Sequence, residues 1–315
     1  MEGETVIAIL GATSHIAKGL IVQFIQAGVG RLVLFGRSEK RVLEFVHSAC
    51  RAGTVEIVEG YETFETGCYD VVINCVGAGA PRKLEADRSI WFTLTEEFDN
   101  LVLNYLRRKN PAALYINFSS GAVYGDSAGR PFREEDRVSL SVNHLKSADY
   151  YTVARINAEV KHRSMSGLKI VDLRIFAYFS RFADVSLGYF MTDVLKALLE
   201  RKVLETRPWD IIRDYVDPED LFSLICLCMK QKELNTAFDV YSAAPVGKFE
   251  LLAGFEREFG LQYRLTADKE EAGPNGEKTV YCTQAFLAAS LGYRPRYSSL
   301  AGLLKETELR LAMER

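Results

Sequence analysis

Short apolar runs and longer amphipathic stretches alternate through the first half of the chain. Residues 6–10, 32–35, 55–58, 71–76, 113–118 and 170–173 are rich in Val, Ile, Leu and aromatics. They lack the polar alternation of a half-wet strand, so each reads as a strand buried on both faces. Between them, residues 17–26, 41–52, 93–108 and 150–165 repeat apolar positions at helical spacing. Strand and helix in alternation predict an α/β chain, a Rossmann-like doubly wound parallel sheet with helices on both faces.

After Arg174 the rhythm changes. A helical stretch at 190–200 is followed by a polar loop through Arg207-Pro208-Trp209, and Asp214-Tyr215-Val216-Asp217 opens another helix. Residues 250–259 and 297–313 read as helices, separated by a charged, loop-like segment at 268–278. The expected division is a dinucleotide-binding domain over 1–176, with 212–242 returning to it. A smaller, less regular substrate-binding part comprises 177–211 and 243–315.

Composition narrows the partners. The 315 residues are 48% apolar and 26% charged with a formal charge of −3, an ordinary globular profile. Nucleic acid is not expected, because a polyanion demands a concentrated basic face. The densest basic runs, Arg107-Arg108-Lys109 and Lys161-His162-Arg163, read as solvated helix ends, and the four histidines as isolated. Six scattered cysteines show neither disulfide nor metal-ligand spacing, and Cys226 and Cys228, two apart on a helix, point to different sides. No bound metal is expected. The acidic start Met1-Glu2-Gly3-Glu4 precedes an apolar run only a strand long, and no stretch is long enough to span a bilayer. The expectation is a cytoplasmic protein without a signal peptide.

Candidate chemistry begins directly after the first strand, at Gly11-Ala12-Thr13-Ser14-His15-Ile16-Ala17. A dinucleotide cradle must turn tightly, let a pyrophosphate reach the backbone, and deliver it to a helix N-terminus. Gly11 is retained here, while Ser14 and Ala17 stand where the usual pattern has glycine; the Ser14 hydroxyl is a candidate donor to phosphate. Alone, such a loop is equally a tight turn. Its place after the first strand makes Gly11, Thr13, Ser14, His15, Ile16 and Ala17 candidate cofactor contacts, with Cys75 and Val76 at the end of the fourth strand.

The second strand ends in Phe35-Gly36-Arg37-Ser38, with Arg41 beyond it. An acidic residue at this tip would hold a ribose 2′-hydroxyl, whereas arginine suits the extra phosphate of NADP. Arg37, Ser38 and Arg41 therefore point to NADP(H), with NAD(H) as the alternative; the competing reading is of exposed residues at a helix start.

Three segments follow in order: Ser119-Ser120-Gly121-Ala122-Val123-Tyr124-Gly125, then Tyr151-Thr152-Val153-Ala154-Arg155 leading to Glu159, then Arg213-Asp214-Tyr215-Val216. Together they resemble the extended short-chain dehydrogenase/reductases, the nucleotide-sugar epimerase and dehydratase family, across essentially the whole chain. The resemblance implies that Ser120 hydrogen-bonds the substrate oxygen and that Tyr151 is the general acid/base. The family's lysine, which grips the nicotinamide ribose, is replaced by Arg155, making Ser120, Tyr151 and Arg155 the candidate catalytic set. Four residues apart, Tyr151 and Arg155 share a helix face. Ser119, Ser120, Gly121 and Arg213 become candidate substrate contacts, with Arg213 aligned to an arginine that touches the nucleotide diphosphate.

Two departures shape the functional expectation. Gly121 and Ala122 stand where sugar dehydratases resembling this chain place Asp and Glu, which argues against dehydration. Ala177, in Arg174-Ile175-Phe176-Ala177, lacks an amide that often helps bind the substrate in relatives. The leading expectation is an NADPH-dependent keto-sugar reductase acting on a nucleotide-diphosphate sugar in deoxysugar or surface-polysaccharide synthesis. A nucleotide-sugar epimerase is the alternative, and a catalytically impaired NADP-binding sensor or scaffold a third. Arg181, Arg294 and Arg296 are further phosphate candidates. The resemblance also implies a homodimer formed by the helices at 93–108 and 150–165.

Overall fold

The computed structural model describes residues 4–49, 55–77, 87–266 and 279–314. The elements run β1 Val6–Leu10, α1 His15–Ala27, β2 Arg31–Gly36, α2 Glu39–Ala49, β3 Val55–Glu59, β4 Val71–Asn74, α3 Ile90–Arg108, β5 Leu114–Ser120, α4 Ser147–Arg163 and β6 Lys169–Ile175. They continue with β7 Ala177–Tyr178, α5 Phe190–Glu200, β8 Leu204–Thr206, β9 Ile212–Arg213, β10 Tyr215–Val216, α6 Pro218–Met229 and β11 Asn235–Val240. Last come β12 Val246–Gly247, α7 Lys248–Phe259, β13 Tyr263–Leu265, β14 Val280–Tyr281 and α8 Ser299–Met313.

The fold is Rossmann-like α/β. Seven parallel strands take the order β11-β6-β5-β4-β1-β2-β3, so the chain reverses direction across the sheet between β1 and β4. A ligand crevice opens at the carboxyl ends of strands at such a reversal. On one sheet face the apolar sides of α1 and α6 (Leu20, Phe24, Leu221, Leu224) close over Ile9, Ile73 and Ile116. On the other, Val102, Tyr105 and Leu106 of α3 cover Leu10, Val72 and Tyr115. Burial on both faces is why the inner strands read as continuous apolar runs; β3, expected to be buried too, is instead a half-exposed edge strand, because only one side of it meets a neighbour.

The sequence-predicted strands and long helices are all present, with shifted ends. β4 stops at Asn74 and not at 76, because Asn74 Oδ1 accepts the Val76 N–H at 3.1 Å and turns the chain off the ladder. The helix expected from 250 begins at Lys248, since Asp210 Oδ1 accepts the Lys248 N–H at 2.7 Å and so caps α7 from a loop. The segment read as a loop at 268–278 lies outside the described residues.

Beyond β6 the chain leaves the sheet and returns. α6 starts at Pro218 behind the N-cap Asp217 and packs on the α1 side, and β11 pairs with β6. The remaining short strands form small sheets, β12-β9-β14, β10-β7 and β13-β8, none of which the hydrophobic pattern predicts. A separate core of Met191, Leu195, Leu252, Phe255 and Leu303 holds α5, α7 and α8 together.

One expectation is overturned. The run at 161–163 is no solvated helix end: His162 is fully buried, with Nδ1 2.9 Å from Asp172 Oδ1 and Nε2 2.6 Å from Asp99 Oδ1. Lys161 pairs with Asp99 and Arg163 with Asp172. Nor is the histidine isolated. The carboxylates that neutralise the run lie on α3 and β6, distant in sequence.

Candidate active site

The cradle is built around Gly11. Its φ of +74° is a left-handed conformation that glycine adopts without strain. A Cβ there would sit 3.0 Å from the carbonyl carbon and oxygen of Cys75 and from the Val76 nitrogen. The turn thus lies directly on the end of β4, with no room for a side chain. Helix geometry leaves the first-turn amides of His15 and Ile16 without intrahelical acceptors. This is a fit for a dinucleotide pyrophosphate: a backbone that can be approached closely, ending at a helix N-terminus.

Two side chains of the loop also make contacts within the protein. Ser14 Oγ accepts the Ala17 N–H at 3.3 Å as the N-cap of α1, which leaves its own proton free to donate. The His15 ring turns toward the C-terminal part, edge-on to Tyr178 at 4.9 Å, and Nε2 accepts the Ser180 N–H at 3.2 Å. Burial pushes the His15 pKa down to about 4, so the ring stays neutral. Thr13 is exposed at the loop, while Ala17 is fully buried beneath it.

At the tip of β2, Arg37 is exposed, and Gly36 passes so close to Val42 that a Cβ would fall 2.8 Å from its methyl. Ser38 Oγ accepts the Arg41 N–H at 3.4 Å and starts α2; Arg41 itself is exposed. Arg37 lines a cavity of about 520 Å³ with Tyr61, Leu94, Phe98 and three carboxylates, Glu59, Glu62 and Glu97. The tip of β2 carries no acid, but pairing of Gly36 with Glu59 sets one on the adjacent strand. Tyr61 lines the same cavity, and its backbone N–H donates to Glu62 Oε2 at 2.9 Å.

The two serines of β5 point apart because successive strand residues alternate. Ser119 Oγ donates to Glu159 Oε1 at 2.6 Å, and Glu159 takes a paired grip from Arg174 Nε and Nη2. Arg174 also donates to Tyr124 at 2.8 Å. Ser119 is therefore committed to a buried ionic cluster, which corrects its assignment as a substrate contact. Ser120 faces the other way, accepting the Ala122 N–H at 3.2 Å and lying 3.0 Å from the Tyr281 hydroxyl. Gly121 fits beneath the Phe176 ring, where a Cβ would fall 2.3 Å from a ring carbon.

On α4, the Arg155 guanidinium lies over the Tyr151 ring, 5.0 Å from its centroid, and Nη1 donates to the Phe118 carbonyl at 3.1 Å. Arg155 Nε is buried without a hydrogen-bond partner among the described residues. Trp91 packs edge-on against Tyr151 at 4.9 Å. The buried Arg213 donates to the Ile212 carbonyl at 2.9 Å, and its strand pairs with β14 so that Arg213 is opposite Tyr281. Burial lowers the Arg213 pKa and raises that of Tyr281. Tyr281 thereby joins Ser120 to the region of Arg213. The other arginine candidates are engaged elsewhere: Arg181 with Glu306 at 2.7 Å, Arg296 with Glu219, and Arg294 with backbone carbonyls.

A model of the NAD dependent epimerase/dehydratase family matches residues 7–244. The chain belongs to this family. A 23% identical relative, an uncharacterized protein of Methanocaldococcus jannaschii, aligns over 74% of this chain and 70% of its own. Among solved structures, a UDP-glucose-4-epimerase from Stenotrophomonas maltophila, with bound NAD and formylated UDP-arabinopyranose, superposes with a TM-score of 0.81 at 16% identity, covering 99% of both chains. A UDP-N-acetylglucosamine 4-epimerase from Methanobrevibacter ruminantium, in complex with UDP-N-acetylmuramic acid, gives 0.80 at 14% identity and 100% of both. A dTDP-glucose 4,6-dehydratase from Bacillus anthracis, in complex with NAD, gives 0.78 at 14% identity over 98% of this chain and 97% of its own. These likenesses are of fold. Among the described residues, no helix is long and apolar enough to cross a membrane.

Sequence reasoning missed Tyr281, Trp91, Tyr61 and Glu59. Tyr281 lies in Thr279-Val280-Tyr281, too short a run to announce a strand. Tyr61 directly follows Gly60 at the end of a recognised strand, the one place where a signal existed.

Proposed function

We propose that this chain reduces a keto group on a nucleotide-diphosphate sugar, using a nicotinamide dinucleotide. The carrying observation is the double engagement of Arg155, stacked on Tyr151 and hydrogen-bonded to Phe118. It pins the acid/base tyrosine of α4 to the strand that ends in Ser120.

Gly11, the α1 amides, Cys75, Val76 and Arg155 would hold the cofactor, which supplies hydride to a sugar carbon when bound. Ser120 donates a hydrogen bond to the substrate oxygen and keeps its proton. Tyr151 passes its phenolic proton to that oxygen as it gains charge, a positioned transfer worth about 10²–10⁴-fold. Arg155 keeps a permanent positive charge against the same ring. Trp91 covers one side of the ring and limits access of water. Gly121 and Ala122 bring no acid or base beside Ser120, so elimination of water has no agent there. The buried Arg213 is the candidate positive charge for the diphosphate. In this reading the Rossmann unit and the part beyond Ile175 meet at the crevice.

Incubation with NADPH or NADH and UDP-4-keto sugars, followed by loss of reduced-nicotinamide absorbance and chromatography of the sugar nucleotide, tests the reading. Reductase activity abolished by Tyr151→Phe is the expected result. Absence of turnover with both cofactors would sink it in favour of a binding protein without chemistry.

An epimerase is the second reading, favoured by Glu59, Glu62 and Glu97 around Arg37. Three carboxylates lining the same hollow as one guanidinium oppose an additional phosphate and suit NAD. Interconversion of UDP-glucose and UDP-galactose with no net change in reduced nicotinamide would establish it. In either case α3 and α4 provide a surface for a second copy of the chain, Val160 being 63% exposed on α4.

A further inference from the structure

Ser120 has one proton to give and two lone pairs to fill. As N-cap of the turn Gly121–Tyr124 it already accepts the Ala122 N–H at 3.2 Å. Its other neighbour is the hydroxyl of Tyr281 at 3.0 Å, a contact in which either oxygen can be the donor. If Ser120 donates to Tyr281, its proton is spent inside the protein. If Tyr281 donates, both lone pairs of Ser120 are filled and its proton must turn outward.

The surroundings of Tyr281 favour the second arrangement. Its ring is wedged against Phe176 at 5.2 Å and edge-on to Phe132 at 6.1 Å. The adjoining backbone is tied to Phe132 on both sides: the Phe132 N–H donates to the Cys282 carbonyl at 2.9 Å, and the Gln284 N–H to the Phe132 carbonyl at 2.7 Å. Pairing of β14 with β9 fixes it from the opposite edge. A phenol clamped in this way aims its O–H with little freedom, whereas a serine hydroxyl rotates freely. Burial keeps that phenol protonated and so available as a donor.

We propose that Tyr281 is a positioning residue: its phenolic O–H donates to Ser120 Oγ, and with the Ala122 N–H on the second lone pair it directs the single Ser120 proton into the cleft toward the substrate oxygen. The proposal rests on Ser120 acting on substrate, as in the reading above. It adds a tyrosine 161 residues away in sequence that acts through Ser120.

Two measurements test it. In the UDP-4-keto sugar assay, Tyr281→Phe is expected to lower kcat about tenfold, the order of one lost hydrogen bond, with KM and the dissociation constant for NADH held within about twofold. Tyr281→Phe combined with Ser120→Ala is expected to be no slower than Ser120→Ala alone, because Tyr281 acts only through Ser120. Multiplicative losses, or a change confined to KM, overturn the proposal. The second measurement needs no substrate: neutron diffraction from wild-type crystals exchanged into D2O should place a deuteron on Tyr281 directed at Ser120. A deuteron on Ser120 directed at Tyr281 overturns the proposal whatever the enzyme turns over. An inactive wild type with the expected deuteron overturns the functional reading and leaves the orientation standing.

Discussion

His162 Nε2 lies 2.6 Å from Asp99 Oδ1, at the buried junction of α3 and α4. Asp172 of β6 takes the other ring nitrogen, Tyr115 of β5 donates to Asp99, and Lys161 and Arg163 complete the charge balance. Burial acts against the imidazolium, but hydrogen bonds and attraction from Asp172 and Asp99 prevail, and the His162 pKa rises from 6.5 to about 9. The folded state therefore holds a proton that the unfolded chain gives up in this range. The contribution is full below pH 6.5 and is lost as pH rises through about 9. Urea midpoints should fall across that window in the wild type. His162→Leu should remove this pH dependence and cost about 3–5 kcal/mol, because it takes away the cation that bridges two buried carboxylates and leaves each with only one cationic partner, Lys161 or Arg163.

Gly11→Ala should cripple the cradle. It forces a side chain into a positive-φ turn and onto the Cys75 carbonyl, at a cost of about 1–3 kcal/mol. Fluorescence titration with NADH should show a loss of affinity of more than tenfold, with a modest fall in melting temperature. Undiminished NADH binding would remove the loop from the cofactor site.

Cofactor choice should depend on opposing charges at one cavity. Arg37→Ala should weaken NADPH about tenfold or more while changing NADH little, if the guanidinium meets the 2′-phosphate. Glu59→Gln should shift the ratio several-fold toward NADPH by removing a like charge. Calorimetric titration of each variant with both dinucleotides measures the two effects separately. Equal responses to both dinucleotides would place the adenosine elsewhere.

Arg155→Lys tests whether the arginine is tuned to this site. Lysine lacks the plane that stacks on Tyr151 while donating to Phe118. The variant should lose about tenfold or more in kcat if both engagements matter, and gain activity if arginine merely impairs an ancestral lysine function. Tyr151→Phe should abolish turnover and leave NADH binding within about twofold.

Val160→Asp should dissociate a homodimer built on α3 and α4. Sedimentation velocity would show a shift from dimer to monomer, without loss of helical circular dichroism. A wild type that sediments as a monomer would refute the pairing.

Much of the Rossmann unit was legible because its determinants are local. Strands buried on both faces announce themselves by unbroken apolar runs, and the turn at Gly11 follows the first of them directly. Ser120 and the Tyr151 to Arg155 spacing were equally visible, each within one segment. The sequence by itself determined the alternating α/β order, the tight turn at Gly11 and which polar residues are candidates for chemistry. Only the tertiary structure decided what those residues face. It turned Ser119 into an ion cluster, His15 toward Ser180 and Lys161-His162-Arg163 into the interior, and it set Tyr281 on Ser120 and Glu59 beside Gly36. The reason is physical: a hydrogen bond needs its partner within about 3 Å, and here the partners come from strands and helices that only the folded sheet brings together.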